Sequence, residues 1–203
     1  MSHAATMDMN VEIKTEQPIG LYNGKLGMWL FLCSEIMFFA GLIGAYIVLR
    51  LGTATWPQPG EILNIPLTGV NTFILICSSV TMVKAFQACH LNDKKKITLY
   101  LFLTFVFGVI FLSIQAVEYL KLAHHGLLPN GGINHLYGTC FYVLTCFHGC
   151  HVLGGVISIF FILIKSLLGH FSKENYAPVE LVGLYWHFVD LVWIILFTIV
   201  YLI

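Results

Sequence analysis

Charged residues are scarce in this chain. Asp, Glu, Lys and Arg make up 10% of its 203 residues, and ten acidic groups balance ten basic ones. Soluble domains carry about 25% charged residues. Hydrophobic residues reach 58%, and the mean hydropathy is +0.85. A soluble chain of this length has too little interior to hide so much apolar surface, so the composition predicts an integral membrane protein.

Long polar segments are also missing. Five apolar runs, each long enough to cross a bilayer, cover residues 26–49, 65–86, 97–120, 137–168 and 179–203. They lack the alternating pattern of a β-barrel. The fold predicted is therefore all-α, an integral membrane bundle of five transmembrane helices forming one domain over residues 21–203. Residues 1–20 are polar and lack the apolar core and cleavage site of a signal peptide, so they are predicted to form a short N-terminal arm.

Basic residues are unevenly divided between the two ends of these spans. Five crossings place the termini on opposite sides, and eight cations fall on the N-terminal side against two on the other. The positive-inside rule then predicts a cytoplasmic N-terminus and an outside C-terminus. The eight are Lys14, Lys25, Lys84, Lys94, Lys95, Lys96, Lys165 and Lys173, and the two are Arg50 and Lys121.

The sequence also lacks the usual motifs of an enzyme. It contains no serine-nucleophile motif, no glycine-rich phosphate loop and no metal signature. The loops are too short to form an enzyme domain. Nearly all of its six cysteines lie in or beside apolar runs, which argues against a disulfide framework. Any chemistry is therefore expected among the helices.

Glu35 is the most conspicuous polar residue inside a span. It lies about ten residues after Lys25, which puts it roughly 15 Å deep in a helix. Intramembrane ionisable residues are costly and are candidates for function. Desolvation favours the uncharged carboxyl, so we expect Glu35 to be protonated at neutral pH. Two roles remain open: a proton-handling, carbodiimide-reactive carboxyl, or a hydrogen-bonding group that fixes helix packing.

Histidine pairs suggest a metal or haem site only weakly. His148 and His151 are three residues apart and lie on one side of a helix, near Cys146 and Cys150. A zinc site would need further ligands in the right geometry. The alternative is interhelical hydrogen bonding, since neighbouring glycines permit close helix approach.

The remaining polar groups fall into three sets. His187 and Asp190 share a face of the last span, with Glu180 nearby, and can satisfy each other or neighbouring helices. Gln115 and Glu118 are expected to pack near the interface, with Glu118 at headgroup level. Three further histidines are expected to be solvated in the third loop: His124, His125 and His135.

Four stretches together resemble subunit III of the haem–copper oxidases, the cytochrome c oxidase type in particular. Residues 26–46 carry a buried glutamate after serine, and residues 67–81 an Asn-Thr start and a Ser pair. Residues 137–155 contain F-H-G-x-H. Residues 179–197 contain the most specific stretch, E-x-x-x-x-Y-W-H-F-V-D-x-V-W. Order and spacing agree from residue 21 to 203 and resemble the five-helix bacterial form.

The resemblance implies a non-catalytic subunit of an aerobic oxidoreductase, in the bacterial inner membrane, that supports proton uptake and turnover stability. Haems and copper would belong to partner subunits, and this chain would hold no redox cofactor or metal. The implied partners are subunit I by direct packing, subunit II, a small subunit IV, phospholipid and a respiratory supercomplex, but no nucleic acid. Glu35 matches the buried carbodiimide-reactive glutamate, and Lys165 a basic residue near a lipid headgroup. The motif residues matched are His148, His151, Glu180, Trp186, His187 and Asp190.

Three other functions are to be distinguished from this one. The chain could instead belong to a quinol oxidase or to a homologue linked to nitric oxide reductase. A small proton-coupled transporter using Glu35 would often show inverted repeats and broken helices, and neither is evident. A haem-binding cytochrome using His148, His151 and His187 would show a Soret band in the optical spectrum of the isolated subunit.

Overall fold

The computed structural model describes residues 22–53, 56–124, 127–128, 131–132 and 135–203. Five helices in these ranges are long and apolar enough to cross a membrane, which confirms the predicted all-α fold. The predicted arm, residues 1–20, lies outside the described residues. The helices are α1 (Asn23–Gly52), α2 (Pro59–Ile62), α3 (Ile65–His90), α4 (Lys94–His124), α5 (His135–Leu167) and α6 (Ala177–Phe197).

Three short elements complete the fold. A π-helical turn, Thr198–Leu202, continues α6 to the end of the chain. Strands β1 (Leu127–Leu128) and β2 (Gly131–Gly132) pair antiparallel between α4 and α5. These elements and α2 were not predicted, since runs of two to five residues carry no usable hydrophobic period.

Local sequence explains where several helices begin. Asn64 precedes α3, and its side chain accepts the amide of Leu67 at 3.3 Å. Asp93 precedes α4 and accepts the amide of Lys96 at 3.2 Å. Asn92 takes a φ of 55°, a left-handed conformation that asparagine tolerates, and so closes the tight turn between α3 and α4.

The helices form a four-helix ring with one helix outside it. α3 packs on α4, α4 on α5, α5 on α6, and α6 closes the ring on α3. α1 lies against α6 and α5. The N-terminal end of the bundle holds the start of α1, the α3–α4 turn and the start of α6, and the C-terminal end holds α2, the β1–β2 pair and Leu202. The spans alternate in direction between these ends.

Trp186 lies where three helices of the four-helix ring pack closely together. Its indole is 1% exposed and lies against the backbones of Gly108 on α4 and Gly155 on α5. A Cβ atom on Gly155 would come within 2.7 Å of Trp186 Cε3, and one on Gly108 within 2.9 Å of Trp186 Cη2. The two glycines therefore let α4, α5 and α6 pack closely around the indole of Trp186, as small residues commonly do in membrane bundles.

Candidate functional site

Glu35 binds a histidine from another helix. Its Oε2 lies 2.9 Å from Nε2 of His151 on α5, and each of the two side chains is 18% exposed. The rings of Phe38 and Phe39 flank the imidazole. Tyr185 of α6 donates its hydroxyl to the backbone carbonyl of His151 at 2.9 Å. This cluster joins α1, α5 and α6 inside the membrane-spanning region.

The hydrogen bonds of His151 constrain where its protons lie. Nδ1 is 2.7 Å from the carbonyl oxygen of Phe147. Because a carbonyl only accepts, Nδ1 carries a hydrogen and donates it. Nε2 then either accepts from a protonated Glu35 or, in the imidazolium, donates to the carboxylate. In both cases one hydrogen bond joins the two side chains across α1 and α5. That Glu35 itself is protonated stays a prediction.

The second polar cluster joins α3 to α6 through one hydroxyl. Ser79 donates its hydroxyl to Asp190 Oδ2 at 2.7 Å, and its Oγ lies 3.1 Å from His187 Nδ1. His187 and Asp190 thus find their common partner within this bundle. His187 also lines an open cleft of about 160 Å³ between α3 and α6, whose walls include Met82, Phe86 and Glu180.

The Ser79 cluster differs from a nucleophilic serine site. In such a site the imidazole stands between serine and carboxylate, and it takes the serine proton with one nitrogen while the carboxylate holds the other. Here Ser79 stands in the middle: its hydroxyl donates to Asp190 Oδ2, and Nδ1 of His187 lies beside the same hydroxyl oxygen. The arrangement ties helices together and does not prepare Ser79 for attack.

His148 is enclosed by aromatic rings. It is 1% exposed, stacks on Trp193 of α6 at a centroid distance of 4.9 Å, and meets the edge of Phe111 of α4. Neither ring nitrogen has a hydrogen-bond partner within the described ranges. Phe39 contacts both His148 and His151, so the two histidines share one side of α5. The nitrogens of His151 have polar partners, whereas those of His148 have none among the described residues.

Trp186 and Glu180 complete the polar motif of α6. Trp186 donates its indole N–H to Ser78 Oγ at 2.9 Å, one residue before Ser79. Glu180 lies at the N-terminal end of the bundle, where it pairs with Lys25 Nζ at 2.6 Å and accepts the hydroxyl of Tyr22 at 3.2 Å. Burial, and then the nearby Glu180 charge, raise the pKa of Tyr22 to about 12.

Comparison with known proteins identifies the group to which the chain is related. A family model described as cytochrome c oxidase subunit III matches residues 8–203. The chain belongs to the cytochrome c oxidase subunit III family. It is similar to cytochrome c oxidase subunit 3 of Synechocystis sp., with 43% identity over 87% of this chain and 74% of the relative. The corresponding protein of Thermostichus vulcanus is 37% identical over 87% of this chain and 86% of its own length.

A third relative, from Mycobacterium bovis, is described as a probable cytochrome c oxidase subunit 3 and is 38% identical over 88% of this chain. These matches confirm the family that was predicted from the four sequence stretches. They also confirm the accessory role in a haem–copper oxidase that this family implies. With five membrane-spanning helices, this subunit III chain is a multi-pass protein of the bacterial inner membrane.

Subunit III is a non-redox accessory subunit as a family. In the parts of the chain that the structure describes, no group of three or more His, Cys, Asp or Glu side chains could hold a metal ion. The six cysteines are free thiols, and Cys146 and Cys150 are exposed on α5 rather than gathered around His148.

Sequence reasoning did not predict the burial of Glu118 and overlooked three partners. Glu118 is 3% exposed, because it turns into the bundle and accepts the hydroxyl of Thr68 at 2.9 Å. Its position at headgroup level stays a prediction. Ser79, Lys25 and Tyr22 gave no strong signal by themselves. The Ser78–Ser79 pair could have indicated Ser79, since hydroxyls in an apolar helix need hydrogen-bond partners, either in their own backbone or on another helix.

The described loop histidines and Lys165 lie outside these buried polar clusters. His124 and His135 are exposed at the ends of α4 and α5, and His125 lies outside the described residues. Lys165 is exposed in the last turn of α5, at the N-terminal end of the bundle.

Proposed function

We propose that this subunit III packs against catalytic subunit I of a cytochrome c-oxidising complex, holds phospholipid, and supports proton uptake and stability during turnover. The main support is that its intramembrane polar groups form hydrogen bonds between helices. Glu35 pairs with His151, and Ser79 with His187 and Asp190, across different helices. Each cluster joins helices of this chain, which suits a subunit that stabilises its neighbours.

The outer surface favours close packing with apolar neighbours. α1 exposes large side chains along its whole length, and α1 is the least buried of the five spans. Contiguous apolar surface of this kind fits a neighbouring subunit or lipid. Subunit I is the proposed direct neighbour and subunit II a further member of the assembly. The large exposed residues of α1 include Trp29, Leu30, Phe31, Ile36, Met37, Ile47, Val48 and Leu51.

The N-terminal end of the bundle is proposed to face the cytoplasm. Lys25, Lys94, Lys95, Lys96 and Lys165 are all at or near this end, which follows the positive-inside rule. Lys165, exposed at that end, is at a depth that suits a lipid headgroup. We assign the excess of lysines to topology rather than to proton delivery.

The names of the relatives support a proposal for the electron donor and for the location of the cofactors. These proteins are described as subunits of cytochrome c oxidase, so cytochrome c is proposed as the donor of this complex. Haems and copper are assigned to the partner subunits. The isolated chain should then show no Soret band in its optical spectrum, and a Soret band would contradict the assignment.

Deletion of this chain from the assembled oxidase tests the proposed role. Purified complexes with and without the chain should both retain haem and copper and both reduce oxygen from the first turnovers. The complex that lacks the chain should lose activity sooner during continuous oxygen uptake, because the face of the catalytic subunit is then uncovered. Loss of the haem and copper centres from an otherwise intact complex, or equal durability of the two, would contradict the proposal.

A further inference from the structure

A groove of about 600 Å³ opens between α4 and α5 at the N-terminal end of the bundle. Its mouth carries Lys94 and Lys95. Lys94 Nζ donates to the carbonyl of Gly169 at 3.2 Å, which holds the ammonium over the groove. Gly169 follows α5 with a φ of +76°, a left-handed turn that favours glycine. This turn aims its carbonyl at Lys94.

Among the residues that the structure describes, no acidic side chain neutralises the positive charge at the mouth. Asp93 is the nearest acidic group in sequence, and its Oδ2 pairs with Lys96 Nζ at 3.0 Å. In the described part of the chain, no carboxylate pairs with Lys94 or Lys95. Hydrogen bonds to Lys96 hold the pKa of the Asp93 carboxyl below its usual value, so that pair is neutral overall at neutral pH. Two cations therefore remain for an external anion.

Below the lysines the groove changes from polar to apolar. Thr98 and Ser166 form a hydroxyl pair at 2.8 Å that joins α4 to α5 under the mouth. Leu99 and Phe102 continue the wall down α4, and they are 53% and 51% exposed. From Lys95 to Phe102 the helix rises about 10 Å. The groove thus runs from cations at the membrane surface, past hydroxyls, to exposed hydrocarbon.

Leucines of α5 supply the facing wall. Leu163 and Leu167 line the groove opposite Leu99 and Phe102, and Leu167 is 69% exposed. A free phosphate would occupy the mouth and leave this apolar wall uncovered. A membrane lipid covers both parts, because its phosphate lies at the surface and its acyl chains extend into the hydrocarbon.

We propose that this α4–α5 groove binds an anionic phospholipid, with the phosphate group between Lys94 and Lys95 and an acyl chain along Leu99 and Phe102. The inference rests on the proposed lipid-binding role and gives that role a location and a headgroup charge. Lys165, to which the family resemblance assigned a headgroup, does not line the groove. It therefore supplies a control lysine at the same end of the bundle, to be compared with the loss per lysine in the groove.

Lipid binding to the full chain in mild detergent tests this proposal. Native mass spectrometry measures the affinity for phosphatidylglycerol, which is anionic, and for phosphatidylcholine, which is neutral overall. Replacing both lysines (K94Q/K95Q) should weaken phosphatidylglycerol binding about fivefold per lysine. It should weaken phosphatidylcholine binding much less, because the choline cation of that lipid offsets the charge of its phosphate. The control K165Q should bind both lipids as the parent chain does.

Two further measurements separate a lipid from a simple anion. Excess inorganic phosphate should leave phosphatidylglycerol bound, and Phe102→Ala should weaken the binding of both lipids. Parent-like phosphatidylglycerol binding by K94Q/K95Q, equal loss in K165Q, or full displacement by inorganic phosphate would overturn the proposal. None of these results would alter the outcome of deleting the chain, because deletion removes all its contacts and the variants change only this groove.

Discussion

α1 and α5 are alike in sequence character and unlike in burial. They have 30 and 33 residues, and their most apolar windows have the same mean hydropathy of 2.0. Yet α1 buries three residues, whereas α5 buries fourteen. Hydropathy therefore measures only the preference for the bilayer, and it does not say whether a helix faces lipid or other helices.

The two helices are also held by different contacts. In a bilayer, apolar burial gives little preference for protein over lipid, so helices associate through close packing and polar bonds. α5 relies on close packing, with Gly155 against Trp186 and His148 stacked on Trp193. α1 relies more on polar bonds: Glu35 with His151, Lys25 and Tyr22 with Glu180, and Arg50 with the carbonyl of Ile203.

The largest effect is expected where α5 meets Trp186. In Gly155→Ala, the new Cβ would lie within 2.7 Å of Trp186 Cε3, whereas Gly149→Ala on the same helix meets nothing within 4 Å. Both substitutions raise the helix propensity by the same amount. The difference between their free energies of unfolding therefore measures the steric cost at Gly155. We expect Gly155→Ala to be less stable than Gly149→Ala by about 1–3 kcal/mol. Thermal unfolding in mild detergent measures it, and equal stabilities would contradict tight packing here.

The Glu35–His151 pair should show the second largest effect, and it tests whether polar bonds hold α1. Glu35→Ala and His151→Ala should each lower the free energy of unfolding by about 1–2 kcal/mol, because each leaves a half-buried polar partner unsatisfied. The double variant should lose little more than either single one, since the bond is already absent.

Ser34→Ala is the control for this cycle, because among the described residues the Ser34 hydroxyl bonds only to the carbonyl of Phe31 in its own helix. It should have little effect on the free energy of unfolding. Additive losses for Glu35→Ala and His151→Ala would show that the two residues act independently, and the assigned role of the pair would be wrong.

The five spans could be predicted because hydropathy is a local property. Each is read from about 20 consecutive residues, without knowledge of neighbours. The family was also predictable, since residues 179–197 carry a specific motif in one continuous stretch. Helix ends were less accurate: α1 begins at Asn23 rather than 26, because a helix can extend beyond the hydrocarbon.

Partners distant in sequence could not be predicted. Glu35 and His151 are 116 residues apart, and Ser79 and Asp190 are 111 apart. No local pattern specifies which helices become neighbours, so the sequence predicted polar groups in need of partners but not the partners themselves. The burial of Glu118 was missed for the same reason: its depth along α4 can be read from its position near the end of the span, whereas its burial depends on which side of α4 faces the bundle.

The smallest effect is expected at the N-terminal end of the bundle, where Lys25 on α1 pairs with Glu180 on α6. These side chains are 28% and 15% exposed, and the pair joins helices that are distant in sequence. Lys25→Met should lower the free energy of unfolding by about 0.2–1 kcal/mol, and less at high salt, because solvent and ions screen exposed charges. Lys96→Met is the control, since its more exposed pair with Asp93 lies within one turn of chain. A larger loss in Lys96→Met would show that the Lys25–Glu180 bond adds nothing to the attachment of α1.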